Sequence, residues 1–213
     1  RDSRIRVFQN NNNGIIAVNR NYGIKKAKGK YVAFCDDDDL WTKKKLTEQI
    51  NAMTKQQVNM VYSICKLFGS TSFFSNMYGI YPIPYRVKPN KENLLKNNTI
   101  PFSTVIIRRT ILDQIGGFDT SQSFFGIEDY ELWLRISETT SIMFIPRIHT
   151  YYRIHLNMTQ LQYSKTKMGL KEIHKKHGGF YKYTKFDKER NIVVILIRSI
   201  FHFTFQIFID LHL

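Results

Sequence analysis

Apolar and charged residues alternate over Arg4-Ile5-Arg6-Val7-Phe8, which predicts a short strand. The Asn-rich run from Gln9 to Gly14 predicts a loop. From Ile15 to Lys28, the positions of Ile15, Ala17, Val18, Tyr22, Ile24 and Ala27 suit a helix lying on a sheet, with Gly29 ending it. Lys30 to Phe34 is an apolar run that reads as a buried strand, and it stops at Asp36-Asp37-Asp38-Asp39. Asp38 or Asp39 is expected to cap the next helix, running from Trp41 through Ile50 to Met53. Strand, helix, strand, acidic loop, helix reads as a βαβ arrangement, so the chain is predicted to be α/β.

Val58 to Leu67 predicts a further strand. Residues 69–92, with Gly69, Gly79, Pro82, Pro84 and Pro89, predict an irregular loop. A strand is expected over Phe102–Ile107 and a short helix over Thr110–Ile115, ended by Gly116-Gly117. Phe118 to Phe125 reads as a loop. Glu128 to Ile136 reads as an amphipathic helix with acids in its first turn. Ile142–Ile145 and Thr150–Arg153 predict two short strands.

The character changes near residue 160, so a domain over 1–160 and an extension over 161–213 are expected. Residues 165–190 are strongly basic. Ile192 to Ile209 is apolar, with Arg198, His202, Gln206 and Asp210 four apart on one narrow polar stripe. Arg198 near its middle argues against a simple membrane span. Two readings stand: an in-plane helix on an anionic membrane surface, or a helix docked on the domain's own core.

Composition changes this picture in two ways. The net charge of +15 suits nucleic acid, anionic lipid or phosphorylated small molecules. The two cysteines, Cys35 and Cys65, make no disulfide framework, and Cys35 reads as a small apolar filler of a strand in a reducing compartment. The opening Arg1-Asp2-Ser3-Arg4 reads like the interior of a protein, and upstream sequence is expected.

The four acids at a strand end carry the chemistry. The carboxyl ends of strands are where open α/β sheets hold ligands. Four carboxylates repel one another, and a divalent cation is the economical remedy. If the backbone stays extended, Asp36 and Asp38 share one side and Asp37 takes the other. An acidic capping turn is the plainer reading, but it does not require four acids. Trp41, where the loop's turn glycine should stand, excludes an EF-hand. Gly23 to Lys30 fails as a phosphate-binding P-loop, because its spacing is wrong and Tyr31 replaces Ser/Thr. Glu128-Asp129 is a second acidic focus; alone, it would be dipole compensation at a helix start. His155 follows a strand and alone would be an ordinary surface or core histidine. His174 and His177 show no ligand spacing.

Together these segments resemble family 2 glycosyltransferases of the GT-A fold. Asn12-x-Gly14 and Asn19-Arg20-Asn21-Tyr22-Gly23-Ile24-x-x-Ala27-x-Gly29-x-Tyr31-Val32 resemble the family's early segment, with Asn19 in place of its alanine. Phe34-Cys35-Asp36-Asp37-Asp38-Asp39-x-Trp41 resembles its D-x-D strand end. Ser103-Thr104 to Arg108-Arg109, Gly116-Gly117-Phe118-Asp119 and Glu128-Asp129-x-Glu131-Leu132-Trp133-Leu134-Arg135 resemble its acceptor region and E-D helix. Tyr152-Arg153-x-His155 resembles its late Y-R-x-H. The resemblance spans residues 3–160.

The resemblance implies a GT-A, Rossmann-like mixed sheet flanked by helices, followed by a basic and apolar helical tail. It also implies an inverting, metal-dependent transfer of sugar from a nucleoside-diphosphate sugar, a UDP-sugar foremost, to a carbohydrate or lipid-linked acceptor. Asp36 matches the acid shared by ribose and metal. Asp38 matches the metal acid, and His155 a third ligand found in some relatives, for Mn²⁺ or Mg²⁺. Asp129 matches the general base and Glu128 its companion. Arg20, Asn21 and Gly117 match positions beside the nucleotide or acceptor. A loop over the donor is expected within 69–92 or 119–127.

The family's opening strands, ending in P-x-Y/F-N and in D-D-x-S, have no counterpart here. An incomplete sheet edge and weak nucleotide affinity are therefore expected. A cytoplasmic protein, peripheral on a membrane, fits this reading. A non-catalytic relative serving as a binding or membrane-associated module is the alternative. A nucleic-acid partner is not expected, given the acidic pocket and the lack of any recognised nucleic-acid motif.

Overall fold

The computed structural model describes residues 2–69, 80–81, 88–153 and 163–179. Helix α1 (Ile16–Lys26) precedes strand β1 (Tyr31–Ala33), a short β2 (Leu40–Trp41), and helix α2 (Lys45–Gln56). Strand β3 (Met60–Phe68), β4 (Ile80–Tyr81) and helix α3 (Lys91–Lys96) follow. Next come β5 (Ile106–Arg108), α4 (Arg109–Ile115), α5 (Glu128–Thr139), β6 (Ile142–Arg153) and α6 (Tyr163–His177).

The sheet runs β1-β5-β3-β6-β2, with β4 also on β3. It is mixed: β3 and β6 are parallel, and the other pairs are antiparallel. β3 is central, and its first six residues are all buried, as expected for a strand covered on both faces. Its neighbours divide by alternation. Met60, Tyr62 and Ile107 face one core cluster with residues of α1, α4 and α5, while Val61 and Ile106 face the other with Met53 of α2. The larger cluster contains Phe34, Phe102, Phe118 and Trp133, with Phe34 ring centroids 5.0 Å from Phe102, 5.5 Å from Phe118 and 6.4 Å from Trp133. The acidic turn begins at Asp36, two residues after Phe34, so it leaves from an aromatic base.

Several expectations are corrected. Residues 4–8 form no strand; no described strand pairs with them, and Ile5 and Val7 are 67% and 78% exposed. β1 is half-buried rather than fully buried, because β5 is its one partner among the described residues. That pairing is antiparallel, so the first elements do not form a βαβ unit. Cys35 is exposed and fills no core. The helix expected from Trp41 starts at Lys45, because Leu40 and Trp41 pair with Tyr151 and Thr150 of β6 instead. Its preceding residue, Lys44, makes no side-chain cap, and neither Asp38 nor Asp39 caps it.

The strand expected over Phe102–Ile107 begins only at Ile106. Phe102–Thr104 is a 3₁₀ turn, closed by Thr104 N–H and Thr104 Oγ1 donating to Pro101 O at 3.1 and 2.7 Å. The two short strands near 142–153 are one strand, which crosses Pro146 by an irregularity in its pairing with β3. α3, capped by Asn90 Oδ1 accepting from Asn93 N–H, begins in the last two residues of the stretch read as loop and runs past it to Lys96. α6 carries Ile173, which is fully buried in the larger core cluster. Most of 69–92, and all of Ile192–Ile209, lie outside the described residues.

Candidate active site

After β1 the chain turns, and each of the four acids does something different. Asp39 N–H donates to Asp36 O at 3.2 Å, closing the turn, and Asp36 N–H donates to Ser103 Oγ at 2.9 Å. Asp39 is buried, and its Oδ1 accepts Arg153 N–H of β6 at 2.9 Å. Burial raises its carboxyl to about 6. Arg153 Nε donates to Asp38 O at 2.9 Å, and its guanidinium lies 4.4 Å from the Phe68 ring centroid. Asp39 is therefore the anchor to β6, whereas Asp36 and Asp38 are half-buried and Asp37 is exposed.

Arg20 of α1 ties this turn to the start of α5. Its guanidinium donates to Glu128 Oε1 at 2.5 Å and to Asp36 Oδ1 at 3.2 Å. It stacks 3.7 Å from the Phe102 ring centroid, on the aromatic base already described. Glu128 is buried, and Asp129 beside it is half-buried with Oδ1 accepting Tyr130 N–H at 2.7 Å.

Burial dominates the carboxyls of the site. Desolvation raises the Asp36 carboxyl; Arg20 lowers it, and Asp38 and Glu128 raise it again. Asp129 is pushed up to about 7 by burial first and by Glu128 next, with Arg20 opposing and Asp36 adding to the rise. Burial raises the Tyr152 hydroxyl, and Asp39, Asp36 and Asp129 add to it, which puts this ring in the field of both acidic foci. A carboxyl near 7 is suited to taking a proton at neutral pH.

Asn21 and Gly117 meet each other. Asn21 Nδ2 donates to Phe118 O, and Phe118 N–H donates to Asn21 Oδ1, both at 2.8 Å. Gly117 has φ +72°, and a Cβ there would sit 2.5 Å from Asn21 Oδ1, so glycine is required by conformation and by space. Arg135 of α5 donates to Ile115 O and Gly117 O at 2.8 Å each. Both residues thus shape the turn that leads toward Glu128-Asp129. The structure brings Arg20, Asp36, Glu128 and Asp129 together, with Asp38 two residues along the turn. His155 lies outside the described residues.

Sequence reading missed the supports of this site. Ser103, besides receiving Asp36 N–H, accepts Trp41 Nε1–H at 2.8 Å and Thr150 Oγ1–H at 3.2 Å on its carbonyl. Lys45 is fully buried, donates to Thr104 O at 2.9 Å and to Gln49 Oε1 at 2.5 Å, and is lowered to about 7 by desolvation. Gln49 Nε2 donates to the same Thr104 carbonyl at 2.9 Å. In the sequence Ser103 stands out only as part of a motif. The i, i+4 spacing of Lys45 and Gln49 was visible, but Lys43 and Lys44 beside it are equally basic.

Among the described residues, no three His, Cys, Asp or Glu groups cluster to hold a metal by themselves. The donor set nevertheless fits a hard cation that keeps water and phosphate as most of its ligands, which needs only one or two carboxylates. Asp36 and Asp38 are such carboxylates, and Asp36 is under-neutralised by Arg20 alone.

A mixed sheet between helices, with an acidic turn at a strand end facing a second acid pair, defines the class. Residues 1–116 match the family described as Glycosyl transferase family 2, and the chain belongs to that family. It is 37% identical over 159 residues to the E. coli protein "UDP-Glc:alpha-D-GlcNAc-diphosphoundecaprenol beta-1,3-glucosyltransferase WfaP", covering 73% of this chain and 58% of that one. The chain spans about half the length of the curated relatives it matches. Its fold is similar to S. aureus TarS solved with UDP-GlcNAc, at TM-score 0.52 and 17% identity, covering 90% of this chain and 54% of TarS. It is also similar to the mannosyltransferase PcManGT of Pyrobaculum calidifontis, solved with GDP-Man and Mn²⁺, at TM-score 0.51 and 17% identity, covering 79% of this chain and 45% of that one. Among the described residues, no helix is long and apolar enough to cross a membrane.

Proposed function

We propose that this chain forms the metal and acceptor side of an inverting glycosyltransferase that moves a sugar from a UDP-sugar to the hydroxyl of a lipid-linked saccharide. The observation that carries this reading is Arg20, which bonds Asp36 and Glu128 at once and so sets the acidic turn beside the α5 acid pair. Asp36 and Asp38 would hold Mn²⁺ or Mg²⁺ together with the donor diphosphate, with His155 as a further ligand. Asp36 would also meet the ribose. When bound, the cation neutralises charge on the departing nucleoside diphosphate.

Asp129 takes the proton of the attacking acceptor hydroxyl, and Glu128, held by Arg20, fixes the start of α5. Attack on the face opposite the leaving group needs one base and no protein nucleophile, so configuration inverts in a single displacement. Asn21 and Gly117 shape the turn beside the donor, and the 119–127 segment borders the acceptor. The WfaP name supports both the chemistry and the substrates: it pairs UDP-glucose, an α-linked donor, with a β product and a diphosphate-linked lipid acceptor. The net charge of +15 suits such an acceptor and the anionic membrane surface that carries it. A cytoplasmic, peripheral location follows from this reading.

Calorimetric titration of UDP and GDP, with and without Mn²⁺, tests the metal assignment. UDP is expected to bind with Mn²⁺ at least about tenfold more tightly than without it, and Asp38→Ala is expected to lose that gain. Equal Mn²⁺ dependence in wild type and Asp38→Ala would overturn the assignment.

A further inference from the structure

α6 and the segment that delivers Asp129 both lie beyond residues 1–116, which match the family, and α6 grips that segment. The grip has three parts. Gly169 is buried where a Cβ would collide with Ile127 Cδ1 and lie 2.7 Å from Ser123 O, so the α6 backbone rests directly on the 123–127 loop. Ile173 is fully buried in the larger core. Lys176 Nζ bonds Asp119 Oδ2 at 2.8 Å and Glu131 Oε1 at 2.7 Å, and lies 5.1 Å from the Phe124 ring centroid.

Those contacts bracket the acid pair. Asp119 opens the segment, Ser123, Phe124 and Ile127 are its middle, and Glu131 lies one turn past Glu128 in α5. Glu131 is fully buried, so it needs its partners. Burial raises its carboxyl, but His177, Arg135 and Lys176 outweigh that and lower it to about 2. His177 stands between Glu131 and Glu138, at 3.5 and 3.3 Å. Arg135, the other cation on Glu131, reaches back to Ile115 O and Gly117 O. Both cations therefore tie the start of one segment, residues 115–119, to its far end at Glu131 through a single buried carboxylate.

We propose that α6 is a positioning clamp for the acceptor side, with Lys176 and Gly169 as its positioning residues. They hold residues 119–131 so that Asp129 meets the acceptor hydroxyl at reactive distance. This rests on Asp129 being the general base. The contacts of Lys176 and Gly169 given above lie on residues 119–131 and not on the Asp36–Asp38 turn, so their loss is expected to change turnover and leave nucleotide binding intact.

The test uses Lys176→Met, Lys176→Arg and Gly169→Ala in the full-length protein, with three readouts. Amide hydrogen exchange over 119–131 is expected to accelerate at least about tenfold in Lys176→Met and Gly169→Ala, while exchange in α2 stays unchanged. The kcat for transfer is expected to fall about 10- to 100-fold in both, the scale of a small misplacement of a reacting group. Binding of UDP with Mn²⁺ is expected to stay within about twofold of wild type, and Lys176→Arg is expected to restore most of kcat. Unchanged exchange over 119–131 in both variants would overturn the clamp, as would accelerated exchange with undiminished kcat. Asp129→Asn separates the two ideas. Full turnover in that variant refutes the base, whereas the exchange result speaks to the clamp alone.

Discussion

Asp129→Asn is expected to lower kcat for sugar transfer by about 10²- to 10⁴-fold, the range for losing a general base, with UDP binding unchanged. The amide keeps the shape of the carboxyl and its acceptor for Tyr130 N–H, so α5 should start as before. The wild-type enzyme should also show the group's titration. Its active form is the carboxylate, and burial beside Glu128 pushes the carboxyl up to about 7. Activity as kcat/KM should therefore rise with pH through an acid limb near 7, and the residual activity of the variant should lack that limb. The same shift has a stability sign. The folded state keeps this proton between the ordinary 3.8 and about 7, so charging Asp129 destabilises the fold as pH rises across that window. At pH 8 the Asn variant should be more stable than wild type in urea. Wild-type turnover in the variant, or an unaltered acid limb, would remove Asp129 from the chemistry.

Arg20→Met carries the second large effect, and it falls on fold and site together. Arg20 is the shared cation of Asp36 and Glu128, and the Glu128 side chain is 7% exposed. Removing one partner from a buried pair leaves an uncompensated charge, at a cost of about 3–5 kcal/mol. The urea midpoint should fall accordingly with little change in slope. Methionine keeps apolar contact with Phe102 but not the attraction of the guanidinium for its ring. Because Arg20 lowers both Asp36 and Asp129, its loss should move the acid limb of activity above 7. A variant as stable as wild type, with its pH profile in place, would show that Arg20 is not the link between the two acidic foci.

The regular parts of the fold were legible where one pattern dominated. β3 is an apolar run buried on both faces, α5 has acids in its first turn and a buried face, and α4 ends at Gly116 with φ +80°. Legibility failed where tertiary pairing decided the outcome. Leu40-Trp41 could open a helix by pattern, but β6 captures it as strand, and α2 then starts without a side-chain cap. β6 reads as two pieces because of Pro146, yet its pairing with β3 absorbs the irregularity. The basic composition of residues 165–177 hides Ile173, the apolar residue that docks α6.

The same division holds in the site. The acids were conspicuous because carboxylates in a row need a cation. Their unequal roles were not, since what makes Asp39 the anchor to β6 is Arg153 N–H, a partner far along the chain. The family resemblance puts Arg20 beside the nucleotide, but its bridge to Glu128 depends on how α1 and α5 pack. Lys45 and Gln49 were invisible as supports, because nothing local says that one lysine of three is buried against Thr104 O.

Sugar transfer is expected to run as a single displacement with Asp129 as its one base, across from the Asp36–Asp38 turn. The most direct measurement is the anomeric configuration of the product, read by proton NMR after the full-length protein is incubated with UDP-glucose, Mn²⁺ and a GlcNAc-diphosphate-lipid acceptor. A β-linked glucose is expected from the α-linked donor; an α-linked product would require a second displacement and would rule out the single-base mechanism.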